Sequence, residues 1–159
     1  MKKRVLSLLL ALAMVLSLLP VTVFAVDGHD GQVRVRVENS TWNKADGAPW
    51  EGTLVDEWIT LKDDSTMMSC VKYALEKNHY SYETASSPYG GEYLGKVNGL
   101  AEMDGGAQSG WMGTLNDWFV NASFSAFTAK NGTLAAGDEI RVLYLSLIHI
   151  SEPTRLRRI

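Results

Sequence analysis

The sequence predicts a single α+β domain in which a mixed β-sheet packs on one main helix. Three observations predict it: an alternating pattern at Gln32–Glu38, a helical pattern that follows Thr66, and a second alternating pattern at Glu139–Tyr144. Strand patterns on both sides of one helix favour a mixed sheet around that helix. The predicted domain, residues 32–144, is long enough for one modest hydrophobic core.

The first two elements are predicted strands. In Gln32–Glu38 valine occupies every second position and charged residues occupy most of the others, which is typical of a half-buried strand. A turn-rich stretch, Asn39–Gly52, follows. Thr53–Leu61 is rich in β-branched and apolar residues and is predicted to form the second strand.

The main helix is predicted to begin after Thr66, which can cap it, and to end near Asn78. Its apolar residues recur at helical spacing and are Met67, Met68, Val71, Ala74 and Leu75. Cys70 is the one cysteine of the chain, so no internal disulfide can form. We expect it to be a small buried apolar side chain, with a reactive thiol or an intermolecular disulfide as alternatives.

The second half of the domain is predicted to be mostly strands. Tyr80–Gly91 is rich in Tyr, Ser and Gly and is predicted to be a loop. Tyr93–Glu102 is predicted to be a strand that turns at Asn98-Gly99. The remaining predicted strands are Trp111–Leu115, Trp118–Val120 and Glu139–Tyr144, with a tight turn at Asn116-Asp117 between the first two.

The first 25 residues are predicted to be a cleaved signal peptide. Lys2, Lys3 and Arg4 precede an apolar run of about 15 residues, which is short for a bilayer span of about 20. Val23-Phe24-Ala25 fits a signal peptidase site, so we expect cleavage after Ala25, export across a bacterial membrane and no membrane attachment afterwards. An uncleaved anchor is the alternative. Residues 26–31 are predicted to be a linker.

We interpret the C-terminal end of the chain as a segment that does not belong to the native protein. Leu145–Arg155, LSLIHISEPTR, resembles the translation of a transposase sequencing adapter over all of its residues. We therefore expect residues 145–159 to be non-native and the protein to be a truncated fragment of a longer one. A native apolar tail is the alternative, and resequencing the locus would distinguish the two.

Charge excludes one class of partner. Six of the 15 basic residues and one of the 18 acidic residues lie in the two ends, which leaves 9 basic and 17 acidic residues in Val26–Tyr144, a net charge of about −8. Because phosphate recognition needs a basic surface, we expect no nucleic-acid partner. No calcium-loop motif accompanies the acidic residues.

The motifs GWMGTLNDWFV and GDEIRVLY, which begin at Gly110 and Gly137, together with VRVRVENSTW, which begins at Val33, resemble the transcobalamin-like C-terminal domain family. This is a domain of unknown function in secreted and surface proteins of Gram-positive bacteria. The resemblance spans Gln32–Tyr144, and it implies a β-grasp-like fold and neighbouring domains in the full-length protein. Asp117 stands where many members carry glycine, so the turn is expected to differ in detail.

No catalytic set assembles along the sequence. Asp56 and Glu57 are adjacent on a predicted strand and therefore point to opposite faces. His29 and His79 have no second ligand at metal spacing. No nucleophile elbow, zinc-protease motif or phosphate loop is present. We therefore expect a protein that is not an enzyme and that uses no cofactor and no metal.

Aromatic residues are the remaining signal, because 14 of the 119 residues in Val26–Tyr144 are Trp, Tyr or Phe. Trp111, Phe119 and Tyr144 lie in predicted strands and are expected in the core. Exposed aromatic rings beside Asn, Asp and Gly are typical of sugar or peptide recognition, although loop aromatics can also cover a core. The candidate ligand-binding residues are Trp42, Trp50, Tyr89, Tyr93, Asp117 and Trp118.

The sequence thus favours a secreted or cell-surface, non-catalytic module that binds a glycan or a peptide or mediates adhesion. One alternative is a structural spacer in a larger wall-anchored protein. Corrinoid binding is a further alternative, suggested only by the relation of the family to vitamin carriers.

Overall fold

A computed structural model of the chain describes residues 29–88 and 90–146. The predicted signal peptide, residues 26–28 of the predicted linker, Tyr89 and residues 147–159 lie outside the described residues. The described part contains one α-helix, α1 (Met67–Lys77), and eight strands. The strands are β1 (Gln32–Asn39), β2 (Gly52–Thr60), β3 (Tyr82–Ser86), β4 (Glu92–Val97), β5 (Leu100–Ala101), β6 (Gly110–Leu115), β7 (Trp118–Phe119) and β8 (Glu139–Leu145).

Five of the strands form a mixed sheet in the order β2-β1-β8-β6-β7. The first and last strands, β1 and β8, are parallel and lie next to each other in its centre, with Val35 opposite Ile140. All other pairs in the sheet are antiparallel. A second sheet has the order β3-β4-β5. The prediction of an α+β, β-grasp-like sheet packed on one main helix is confirmed.

The helix begins where the sequence predicts. The Thr66 side chain accepts a hydrogen bond from the Ser69 amide at 3.0 Å, and the Ser69 hydroxyl accepts one from the Thr66 amide at 2.9 Å. This reciprocal capping box satisfies two amide groups that the helix itself leaves unpaired. Asn78 ends the helix as predicted.

Replacing Thr66 with alanine should lower the free energy of unfolding by about 1 kcal/mol, because the Ser69 amide loses its acceptor. Urea denaturation would measure the change. Asp63→Ala is the matched control, since Asp63 is exposed in the same loop and caps nothing that the structure describes. Equal effects of the two substitutions would contradict a capping role for Thr66.

The core lies between the helix and the inner face of the sheet. Val33, Val35 and Val37 of β1 are fully buried, as the alternating pattern predicts. They pack with buried residues of α1, among them Cys70, whose predicted burial is confirmed and raises the pKa of its thiol. Aromatic rings close one end of this core: Trp111 lies 5.9 Å from Trp50 and 5.2 Å from Tyr144, between ring centroids.

Both predicted tight turns are confirmed by their backbone angles. Asn98 and Gly99, between β4 and β5, have φ values of 46° and 85°. Asn116 and Asp117, between β6 and β7, have φ values of 51° and 67°, as a two-residue hairpin turn requires.

Two predictions about single elements are wrong. The predicted loop Tyr80–Gly91 contains strand β3, which pairs with β4. Its side chains are exposed apart from that of Tyr82, so an alternating burial pattern was absent from the sequence. Phe119, expected in the core, is 57% exposed, because it lies on the outer face of edge strand β7.

The last strand runs past Tyr144, where the sequence predicted the domain to end. Leu145 pairs with Gly110. Ser146 is buried, and its hydroxyl donates to the Gly105 carbonyl at 2.8 Å while its amide donates to the Thr41 hydroxyl at 3.0 Å. The first two residues of the predicted non-native tail are therefore integrated into the fold, whatever the origin of that tail.

Candidate functional site

An open cleft of about 730 Å³ lies at the β7 edge of the main sheet. One wall comes from the end of the β3–β4 hairpin, and the other from the segment that follows β7. We call it the edge cleft, and define it by its lining residues 87, 90–93 and 120–126.

Close contact between Gly91 and Ser123 joins the two walls of the edge cleft. A Cβ atom at Gly91 would overlap the Ser123 side chain, and Gly91 also has a φ of 75°. Both features require glycine at this position. The Ser123 hydroxyl donates to the Glu92 carbonyl at 3.0 Å and so fixes the second wall against β4.

Phe124 links the edge cleft to the core. It begins the 3₁₀ turn Phe124–Ala126, and its ring lies against the backbone of Gly113 in β6, where a Cβ atom would overlap it. Val120 continues the pairing of β7, since its amide donates to the Gly113 carbonyl at 3.0 Å. The cleft therefore has a rigid apolar base on the sheet.

The ionisable groups of the edge cleft are already engaged. Lys72 of α1 donates to both carboxylate oxygens of Glu92 at 2.7 Å, which lowers the pKa of that carboxyl. The negative charge of Glu102 raises the pKa of the Tyr93 phenol, whose hydroxyl donates to Glu102 at 3.3 Å. At neutral pH Glu92 is therefore ionised and Tyr93 is neutral, so neither is poised to transfer a proton.

Trp118 is the most exposed large apolar side chain in the described part of the chain, at 82%. It lies opposite Leu115 on β6, so it points to the same side of the sheet as Leu115. Residues two apart on a strand share a face, and Val120 therefore lies on that side as well, about 7 Å further along. Because Val120 lines the edge cleft, Trp118 stands next to the cleft on the same face.

Side-chain contacts fix the turn of the β6–β7 hairpin, which carries Trp118. The Asn116 side chain donates to Asp138 at 2.7 Å and accepts from the Glu139 amide at 2.9 Å. Asp117 pairs with Arg141 at 3.2 Å across the outer face of the sheet. The turn is thus tied to β8, and the neighbouring indole ring is presented on a fixed support.

The structure separates the residues that the sequence predicted as one site. Trp50 is only 7% exposed, and its indole donates to the Val97 carbonyl at 3.2 Å, so it is a core residue and its prediction as a ligand-binding residue is wrong. Trp42 is half-buried against Tyr144, away from the edge cleft. Tyr89 lies outside the described residues.

Three of the predicted residues remain near one edge of the molecule. Tyr93 lines the edge cleft and is 37% exposed. Asp117 and Trp118 lie on the adjoining hairpin, although Asp117 turns towards Arg141 and the outer face. Tyr93 is thus the predicted residue that lines the cleft, and Trp118 lies on the strand beside it.

Sequence reasoning missed the second wall of the cleft. Asn121, Ser123 and Phe124 were not predicted as site residues, because the segment that holds them shows no periodic pattern. The nearest sequence signal is Asn121-Ala122-Ser123, which matches a glycosylation motif and by itself indicates no ligand contact. Its polar groups instead line the cleft.

Charged side chains on the outer face of the sheet form an ionic network away from the edge cleft. Glu38, whose side chain is 8% exposed, lies between Arg36 and Arg141 at 3.2 Å and 2.5 Å. Arg34 donates to both oxygens of Asp56, which lowers the pKa of that carboxyl. These contacts pair the charges of β1, β2 and β8, so we interpret the network as structural.

Residues 29–88 and 90–146 contain neither a candidate metal site nor a candidate membrane-spanning helix. No group of three or more His, Cys, Asp or Glu side chains in this part could hold a metal ion. No helix in the same part is long and apolar enough to cross a membrane.

Comparison with known proteins does not identify a family or a function for the chain. No protein-family model matches the chain, and no curated protein matches it. Among solved structures the chain is similar to a Ruminococcus gnavus ATCC 29149 protein described as a "putative metal binding protein", with 16% sequence identity and a TM-score of 0.45, over 72% of this chain and 96% of that one. A similarity this distant does not indicate function.

Proposed function

We propose that this chain is a secreted or cell-surface, non-catalytic module that binds a glycan at the edge cleft. The observation that carries the proposal is the 82% exposure of Trp118 beside that cleft. Burying a large apolar side chain stabilises a protein or a complex by about 1.5–3 kcal/mol. Folding does not bury the Trp118 side chain, so this free energy remains available for binding a ligand. An exposed indole beside a cleft is typical of a ligand contact.

The chemistry of the cleft favours a neutral, hydroxyl-rich ligand. Its polar lining includes the exposed amide of Asn121, the hydroxyls of Ser123 and Ser125 and the exposed phenol of Tyr93. Glu92 is neutralised by Lys72. Sugar rings offer apolar C–H faces for Trp118 and Tyr93 and hydroxyl groups for the amide, so a glycan suits both parts of the surface.

Secretion and family membership rest on the sequence. The basic and apolar start of the chain supports export, and the motifs that begin at Val33, Gly110 and Gly137 support the proposed relation to the transcobalamin-like C-terminal domain family. Neighbouring domains would then present the edge cleft at a cell surface.

A glycan array probed with the wild-type protein and with Trp118→Ala tests this function. We expect a subset of neutral glycans to bind and the variant to lose about 2 kcal/mol, or roughly 30-fold in affinity, because the stacking surface is gone. The melting temperature should not change, since the indole is largely exposed.

Phe119→Ala is the matched control. Phe119 is the next residue of β7 and is exposed, but it points to the opposite face of the sheet. We expect it to keep wild-type binding. An array without any bound glycan would contradict the proposal and favour the structural-spacer alternative. Equal binding by wild type and Trp118→Ala would show that the indole does not contact the glycan.

A further inference from the structure

The free edge of β2 is a second surface, on the opposite side of the main sheet from β7. The Leu61 amide donates to the Gly31 carbonyl at 2.8 Å, and the Arg34 amide donates away from β2, to the Asp138 carbonyl, at 2.9 Å. In an antiparallel pair the backbone groups alternate in direction. The main-chain groups of Thr60, and of the residues two and four positions before it, therefore point away from β1.

These outward groups belong to Asp56, Trp58 and Thr60. Within residues 29–88 and 90–146, no backbone or side-chain group forms a hydrogen bond with their amides or carbonyls. Their spacing is that of a strand, so another extended backbone would satisfy all of them in register.

A groove of about 460 Å³ accompanies this edge, between β2 and α1. On the helix side its wall is formed by Ser69, Tyr73 and Lys77, which are four residues apart and therefore lie on one side of α1. Buried Ile59 and Cys70 also line it and supply apolar surface. An edge strand beside a helix-walled groove has room for the alternate side chains of an added strand.

The features that commonly protect edge strands are weak here. The β-bulge of β2 lies near Leu54, where the register with β1 shifts, and leaves the strand regular from Val55 onwards. The two edge charges, Asp56 and Glu57, are neutralised by Arg34 and Lys77. Neither feature blocks the pairing of another strand over residues 55–60.

We propose that an extended, basic peptide binds as an added strand on β2, with every second side chain in the groove against α1. The net charge of about −8 over Val26–Tyr144 attracts a positively charged partner and opposes the pairing of two copies of this chain. Because Lys62 and Lys77 line the groove, the basic side chains of the peptide lie on the face away from it, and the alternate side chains in the groove are uncharged. This site is separate from the edge cleft, so a test of peptide binding at β2 is independent of whether the edge cleft binds a glycan.

Thr60→Pro and Thr60→Val form the matched pair that tests the proposal. Proline removes the outward amide of an exposed edge position without touching a hydrogen bond to β1, and valine removes the hydroxyl but keeps the amide. The probe is a displayed library of random ten-residue peptides, selected on the wild-type protein. Thermal denaturation of both variants verifies that they fold.

We expect the enriched peptides to be net basic and to alternate in polarity. Thr60→Val should bind them like wild type, and Thr60→Pro at least about tenfold more weakly, since a backbone hydrogen bond is lost and the ring obstructs pairing. Equal binding by the two folded variants, or no enriched peptide, would overturn the proposal. Self-association that Thr60→Pro abolishes would overturn it too, because the occupant would then be a second copy of the chain.

Discussion

Gly113→Val is expected to destabilise the domain by about 3 kcal/mol, near the upper end for overpacking a core. A Cβ atom at Gly113 would overlap the ring of Phe124 and lie 3.0 Å from the terminal methyl of Met67. Phe124 forms the base of the edge cleft, and Met67 begins α1. The substitution therefore forces apart the sheet, the helix and the cleft wall at one point.

Urea denaturation, with the midpoint and slope compared with wild type, measures this loss. Gly95→Val is the control, because Gly95 also lies in a strand, has no positive φ, and would place its Cβ no closer than 3.8 Å to the nearest atom, the Glu83 carbonyl oxygen. We expect that control to change the free energy of unfolding by less than about 1 kcal/mol. A Gly113→Val protein as stable as wild type would show that Phe124 can leave its position at little cost.

Tyr144→Phe is expected to lower the free energy of unfolding by about 2 kcal/mol, although only one oxygen atom is removed. The Tyr144 hydroxyl accepts from the Gly105 amide at 2.9 Å and donates to the Ala101 carbonyl at 3.0 Å. It also shares a hydrogen bond of 2.8 Å with Ser109. Phenylalanine would leave the Gly105 amide buried without an acceptor, which is more costly than losing an exposed hydrogen bond.

Tyr93→Phe provides the comparison for stability. Its hydroxyl is on the surface and makes one long hydrogen bond, to Glu102, so removing it should change the free energy of unfolding by less than about 0.5 kcal/mol. Chemical denaturation of the two variants would distinguish the sites. Equal losses would contradict the assignment of Tyr144 as the centre of a buried hydrogen-bond network.

The elements with strong periodicity were predictable from sequence. β1 and β8 alternate because one face of each is buried, and α1 shows helical spacing because one stripe of it is. β3 was missed because nearly all of its side chains are exposed, so burial imposes no pattern on it. Its pairing with β4 is decided by backbone hydrogen bonds, which leave little trace in side-chain polarity.

The candidate site was less predictable, because it depends on contacts between distant parts of the chain. Trp50 lies in a turn-rich segment, yet its indole reaches the Val97 carbonyl 47 residues later and becomes part of the core. The edge cleft depends on Ser123 lying against Gly91, and composition does not reveal such a pair. Trp118 directly follows the Asn116-Asp117 turn, and the sequence marks it as a candidate because exposed aromatic rings beside Asn and Asp are typical of ligand recognition.

An NMR titration of the protein with the strongest neutral glycan from the array tests the central claim most directly, since it follows the indole N–H of Trp118 and every backbone amide at once. We predict saturable shifts of the Trp118 indole and of amides in residues 120–126, with the amides of β2 unchanged. Glycan binding that shifts a different surface and leaves the Trp118 indole unmoved would contradict the assignment of the edge cleft.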